Sequence, residues 1–132
     1  MIRLFVYGTL LQPDNEMGQY LMKNAIKLGE AQYQGKLYMV DWFPGLVPSA
    51  NNGDQVFGHL LELRFNIDEV IRRLDEYEVY DETDPDNSEY IRENVTVIMG
   101  EKKEECWTYL YNRSIDDLDC IESGNFLDYL AK

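Results

Sequence analysis

Apolar and polar positions alternate along the chain in three different rhythms, and each rhythm predicts a different kind of element. Leu4, Phe5 and Val6 are consecutive and apolar, which suits a strand covered on both faces, and the run stops abruptly at Gly8-Thr9. Gln12-Pro13-Asp14-Asn15 breaks the extended run, and Met17, Tyr20 and Leu21 then recur at helical spacing to about Lys23. From Ile26 to Val40 apolar residues alternate with polar or small ones around Gly29 and Gly35, predicting one or two strands with a bulge or turn. Two prolines and a glycine in Asp41-Trp42-Phe43-Pro44-Gly45-Leu46-Val47-Pro48 predict a loop, and Asn51-Asn52-Gly53-Asp54 a turn, with Trp42, Phe43, Leu46 and Val47 as candidate pocket walls. Val56 to Leu63 reads as a strand. Asn66 with Glu69 three residues on resembles a capping box, and opens a helix from Ile67 on which Val70, Ile71, Leu74 and Tyr77 follow at steps of three and four. Tyr90 to Met99 and Glu105 to Tyr111 form two strands joined at Gly100-Glu101-Lys102-Lys103. Past Ile115 to Ile121 and Gly124, Phe126 to Leu130 forms a short helical segment covering one end of the sheet. Strands outnumber helices and hairpin-like pairs dominate the second half, so the expected fold class is α+β, built on a small closed or nearly closed mixed β-barrel with a few flanking helices.

Length and charge narrow the partners. At 132 residues the chain is one domain by length, with enough residues to bury a core without staples. The formal charge of −13 repels phosphate backbones, and no Lys/Arg cluster overrides it locally, so nucleic acid is excluded as a partner. No apolar run approaches the roughly 18 residues that cross a bilayer, and the N-terminus lacks a basic region followed by an apolar core, which predicts a cytoplasmic protein without a membrane partner. Cys106 and Cys120 form no C-x-x-C pair, and read as reduced structural thiols. His59 falls within a predicted strand, so a structural role is the better reading for it. The acidic stretch Asp81 to Glu89 lacks the glycine and spaced ligand series of an EF-hand, and reads as a solvated loop with no metal.

Two features carry candidate chemistry. Gly8 has no Cβ and is free to take positive φ, so that backbone N–H groups around Gly8, Thr9 and Leu10 turn together toward a bound anion, with the Thr9 hydroxyl beside them. On local pattern alone an ordinary strand-to-loop turn explains the same residues. The second feature is a carboxylate in an unexpected place. At about 100° per residue, Glu76 lies opposite the apolar stripe of the second helix, Asp75 at its flank, and Glu78 only about 20° from Ile67, inside the stripe. A carboxylate there loses hydration near the negative end of a helix dipole, and both effects raise its pKa into the range of a general acid/base. The alternative is that the helix frays before Glu78, which then lies in solvent or pairs with Arg92.

Taken together, Phe5-Val6-Tyr7-Gly8-Thr9-Leu10 and Leu74-Asp75-Glu76-Tyr77-Glu78 before Tyr90-Ile91-Arg92 resemble the γ-glutamylcyclotransferase-like family, also called AIG2-like. Further matches run through Gly35-Lys36-Leu37-Tyr38, Phe43-Pro44-Gly45, Val56-Phe57-Gly58, Trp107-Thr108-Tyr109-Leu110-Tyr111 and Gly124-Asn125-Phe126. The resemblance implies a small barrel whose cavity mouth is lined by Tyr7, Gly8, Thr9 and Leu10, with Glu78 as catalytic acid/base, no cofactor and a small γ-glutamyl substrate. The implied reaction is attack of a γ-glutamyl group's own α-amine on its γ-carbonyl, giving 5-oxoproline and a free amine or amino acid. Tyr111, at the end of the last strong strand, is a further candidate lining residue, or else a barrel-core tyrosine. The chain departs from the family pattern at Val79, where a glycine usually follows the glutamate, at Leu11-Gln12-Pro13, and at Phe126 in place of a tryptophan. Two functions follow as expectations: a cyclotransferase, or a non-catalytic domain that holds a small carboxylate on the same loop.

Overall fold

β1 (Ile2–Val6) is buried on both faces, as its unbroken apolar run requires. In the computed structural model, which describes residues 2–131, β1 lies between an antiparallel neighbour, β4 (Gln55–Leu63), and a parallel one, β6 (Lys102–Tyr111). The chain also contains α1 (Glu16–Lys23), β2 (Ala25–Met39), β3 (Pro44–Pro48), α2 (Ile67–Tyr77), β5 (Tyr90–Met99), β7 (Asp119–Cys120) and α3 (Phe126–Leu130). The order β2-β4-β1-β6-β5 closes on itself where Gln32 of β2 pairs with Ile98 of β5, giving a five-stranded mixed barrel. The predicted α+β barrel is the observed fold.

Strand alternation divides the apolar residues between two cores. Phe5 and Tyr7 point into the barrel with Tyr33, Val56, Leu60 and Val97, while Leu4 and Val6 point outward to Leu21 of α1 and Val70 and Leu74 of α2. Removing Leu74 from water contributes roughly 2 kcal/mol, and that burial is what fixes the end of α2 against the barrel. α3 plugs one barrel end with Phe126, which is almost fully buried.

Several local expectations are corrected. Residues 41–48 are not all loop: Pro44 to Pro48 form β3, an edge strand paired with β2 from Met39↔Pro44 to Gly35↔Pro48. Its prolines sit at the two ends of an edge strand, where a missing N–H costs no ladder bond. β2 is a single strand whose register shifts between Lys27 and Gly29, so the bulge option is the one realised. β6 begins at Lys102, three residues before its predicted start, because the hairpin turns tightly at Gly100, with φ of +65°. Asn66 does not cap α2 with its side chain. It takes left-handed backbone geometry and its amide donates to Asn24 Oδ1 at 2.9 Å.

Candidate active site

α2 ends in a Schellman motif, and that ending aims Glu78. Glu78 is the C-cap and still donates its N–H to the Leu74 carbonyl at 2.9 Å, so the wheel position expected from the sequence persists to the cap. The Val79 and Tyr80 N–H groups close the motif on the carbonyls of Glu76 (3.2 Å) and Asp75 (2.8 Å). The motif needs left-handed backbone at Val79, and its φ is +55°. Val79 therefore takes the conformation a glycine would take there, and the helix exit is not rerouted.

Glu78 faces a cavity of about 340 Å³ that Tyr7, Gly8, Thr9 and Leu10 also line. Four of the five residues expected to line the site beside Glu78 are thus brought together with it, and Tyr111 is not. Tyr111 stands edge-on to Tyr90, with centroids 5.4 Å apart, and covers Gly45, where an added Cβ would lie 2.7 Å from its ring. It braces the wall from behind.

The loop's backbone differs from the expectation. Gly8 has φ of −130°, so it does not turn through positive φ. Glycine is required by close approach instead, because a Cβ at that position would sit 2.8 Å from Pro44 Cγ. Leu11 and Gln12 donate back to the Gly8 and Thr9 carbonyls, forming one short 3-10 turn at Thr9–Leu11. The N–H groups of Gly8, Thr9 and Leu10 find no acceptor among the described residues. The Thr9 hydroxyl is engaged, sharing a 2.6 Å hydrogen bond with the Tyr77 hydroxyl, which also accepts from Asn15 Nδ2 at 2.9 Å. That bond ties the loop to the last turn of α2, next to Glu78.

The Glu78 carboxyl has no hydrogen-bond or ion-pair partner among the described residues. The expected alternative, pairing with Arg92, is not realised: Arg92 donates to both Asp75 oxygens at 2.6 and 2.5 Å, and the Tyr109 hydroxyl donates to Asp75 Oδ1 at 2.7 Å. Burial, and then the charge of Glu89, raise the Glu78 carboxyl to about 8. Burial likewise holds the hydroxyls of Tyr7, Tyr90 and Tyr109 neutral by raising each well above its ordinary value. The Tyr7 hydroxyl donates to the Tyr109 carbonyl and the Tyr90 hydroxyl to the Pro44 carbonyl, both at 2.6 Å, so these rings form fixed walls.

Sequence reading missed Tyr77, Glu89, Tyr90 and Tyr109 as site residues. Tyr77 belongs to the apolar stripe and counts there as core, with nothing to show that its hydroxyl reaches Thr9. Tyr90 and Tyr109 sit on paired strands, where register alone could have placed them; of the four expected pocket walls Trp42 and Phe43 line the cavity, while Leu46 is packed in the barrel core and Val47 lies outside the lining. His59 lies on β4 opposite Val6, outside the lining, with its pKa lowered by burial. Cys106 is buried in the barrel, where burial pushes its thiol up to about 12, and Cys120 is exposed; neither forms a disulfide. Among the described residues no group of His, Cys, Asp and Glu is placed to hold a metal ion, and no helix is long and apolar enough to cross a membrane.

A family model described as gamma-glutamyl cyclotransferase, AIG2-like matches residues 4–128. The chain is 33% identical over 129 residues to a gamma-glutamylcyclotransferase family protein, ytfP, of Citrobacter rodentium, covering 96% of each. It is 32% identical to the corresponding YtfP of Escherichia coli K12, covering 96% of this chain and 97% of that one. The solution structure of Escherichia coli ytfP superposes with a TM-score of 0.66 at 28% identity, covering 97% of this chain and 98% of that chain.

Proposed function

The chain belongs to the gamma-glutamyl cyclotransferase, AIG2-like family, and on that premise we propose that it converts a γ-glutamyl amine or γ-glutamyl amino acid to 5-oxoproline, with Glu78 as general acid/base. One observation carries this reading: an unpartnered carboxyl held near 8 and the acceptor-free amides of Gly8, Thr9 and Leu10 line the same cavity. The two groups have complementary work.

The nucleophile is the substrate's own α-nitrogen, which arrives as an ammonium. The Glu78 carboxylate takes its proton, the freed nitrogen attacks the γ-carbonyl carbon, and a C–N bond closes the five-membered ring. The carbonyl oxygen becomes an oxyanion in that step. The open amides of the loop supply N–H donors either to this oxyanion or to the substrate's α-carboxylate. Glu78 then returns its proton to the leaving nitrogen, the oxyanion collapses to the carbonyl as the old C–N bond breaks, the ring nitrogen gives its second proton to solvent, and the Glu78 carboxylate is restored. Because nucleophile and electrophile are tethered, the cavity has only to fold the substrate into its near-attack shape, which the fixed tyrosine walls and the Pro44-backed loop are rigid enough to do. We place this work in the cytoplasm, where the free thiols of Cys106 and Cys120 stay reduced.

A second reading, a non-catalytic domain that holds a small carboxylate on the same amides, rests on those amides alone. Incubating the protein with a panel of γ-glutamyl amines and amino acids and measuring 5-oxoproline separates the two. Turnover of at least one compound supports the enzyme. A rise in melting temperature across the panel with no 5-oxoproline supports the binding domain instead.

A further inference from the structure

The cavity holds a second acid. Glu89 lines it together with Glu78 and closes the acidic loop just before β5. Its backbone is fixed from both sides: its N–H donates to the Val79 carbonyl at 3.0 Å, and its carbonyl accepts from Asn112 N–H at 2.8 Å. The first of these bonds goes to the residue directly after Glu78, so the two acids project from backbone segments that are bonded to each other. Buried Ser88 braces the preceding turn, its hydroxyl donating to the Asp84 carbonyl at 3.0 Å.

Among the described residues the Glu89 side chain makes no hydrogen bond and no ion pair. The guanidinium groups nearby are directed elsewhere, Arg92 to Asp75 and Arg113 to the carbonyls of Asn87 and Ser88. No Lys, Arg or His among the described residues lines the cavity. The other titratable groups lining the cavity with Glu78 are Tyr7 just after β1, Tyr90 on β5, Tyr109 on β6 and Tyr77 on α2, of which Tyr7, Tyr90 and Tyr109 are held neutral by burial. A cavity with two carboxyls and no cation complements a ligand that brings positive charge.

We propose that Glu89 receives the substrate's α-ammonium, holding it beside Glu78. This rests on the reading of Glu78 given above. In the empty site burial and Glu89 both oppose ionisation of Glu78. An ammonium docked between the two acids cancels the repulsion, Glu78 gives its resting proton to solvent, and the carboxylate so formed accepts the ammonium proton. The base is therefore armed by the cation it is to deprotonate.

Steady-state kinetics of Glu89→Gln against wild type, on any panel compound that turns over, test this. The expected result is a KM raised about tenfold or more, from loss of one charge-assisted contact, together with a low-pH limb of kcat/KM that moves to lower pH. Glu89→Asp, which restores the charge, should return the limb to its original position. A KM changed less than about twofold with an unmoved limb overturns the proposal. Should wild type turn over nothing, the cyclotransferase reading fails separately, and calorimetry with L-glutamine and N-acetyl-L-glutamine then decides the role of Glu89. Loss of L-glutamine affinity confined to Glu89→Gln, with N-acetyl-L-glutamine unaffected, upholds an ammonium site. Equal affinities, or no binding of L-glutamine to wild type, contradict it.

Discussion

The acidic loop at residues 81–88 and the cavity beside it invite opposite first impressions. The loop is dense in chemistry-bearing side chains, yet it satisfies many of its polar groups internally. Asp81 Oδ1 accepts from the Thr83 amide (2.9 Å) and hydroxyl (2.7 Å), and Asp84 accepts from Asn87 Nδ2 at 2.9 Å. Those two bonds hold the Asp81 carboxyl below its ordinary range, so it stays a solvated, occupied anion. The cavity is mostly apolar and aromatic and its hydroxyls are hydrogen-bonded, but two carboxyls, Glu78 and Glu89, and the amides of three lining residues have no partner among the described residues. The difference teaches that reactive capacity follows unsatisfied polar groups in a shaped, water-poor space and not the local count of acids.

The same contrast is drawn more finely within α2, where Asp75 and Glu78 are three residues apart. Asp75 is spent on Arg92 and Tyr109, while Glu78 is left free. Breaking the satisfied acid has the largest expected effect on stability. Asp75→Asn leaves a mostly buried guanidinium with only the exposed Glu82, 3.6 Å away, as an ion-pair partner and should cost about 3 kcal/mol in urea unfolding. A loss below about 1 kcal/mol would show that the two acids do not differ as described.

Changing the unsatisfied acid should act in the other direction and depend on pH. The folded-state pKa of Glu78 is raised above the unfolded value, so its contribution is full at low pH and is lost as pH rises from about 4.5 through 8. Wild type should thus fall relative to Glu78→Gln across that window. The variant is expected to be more stable at pH 9 by on the order of 1–3 kcal/mol, allowing for partial exposure, with the gap closing near pH 4. Parallel stability curves would contradict a half-buried, proton-holding Glu78.

A smaller effect is expected at the helix exit. Val79→Gly relieves a β-branched residue of left-handed geometry and should raise stability by about 0.5–1 kcal/mol, net of the greater freedom of glycine in the unfolded chain. The smallest belongs to the loop: Asp84→Asn removes an exposed acceptor and should shift stability by less than about 0.5 kcal/mol and leave 5-oxoproline formation unchanged.

What was legible in the sequence follows the same line between periodic and non-periodic information. The two-sided burial of Leu4, Phe5 and Val6, the stripe of α2 and the aim of Glu78 are consequences of period, and all three are found in the fold. Pro44 and Pro48 read as loop because edge status is a property of the assembled sheet, which no local pattern carries. Asn66 has the residue type of a cap, but a partner 42 positions away took its side chain. Gly8 stands out in the sequence for its freedom to take positive φ, which it does not use. It is needed because Pro44 packs on it, and that neighbour comes from a distant strand. Tyr77, Tyr90 and Tyr109 were opaque for a related reason: a tyrosine in an apolar stripe shows its ring to the pattern and its hydroxyl only to the fold.

The central claim is that Glu78, and not the acid-rich loop, moves the proton in ring closure. The most direct test is the rate of 5-oxoproline formation by wild type and by Glu78→Gln as a function of pH, on one substrate that wild type turns over. The account predicts a wild-type kcat/KM with a low-pH limb near 8 and a loss of about 10²–10⁴-fold in the variant, with no limb remaining. Ring closure that survives the substitution at a comparable rate, with the limb intact, would contradict it.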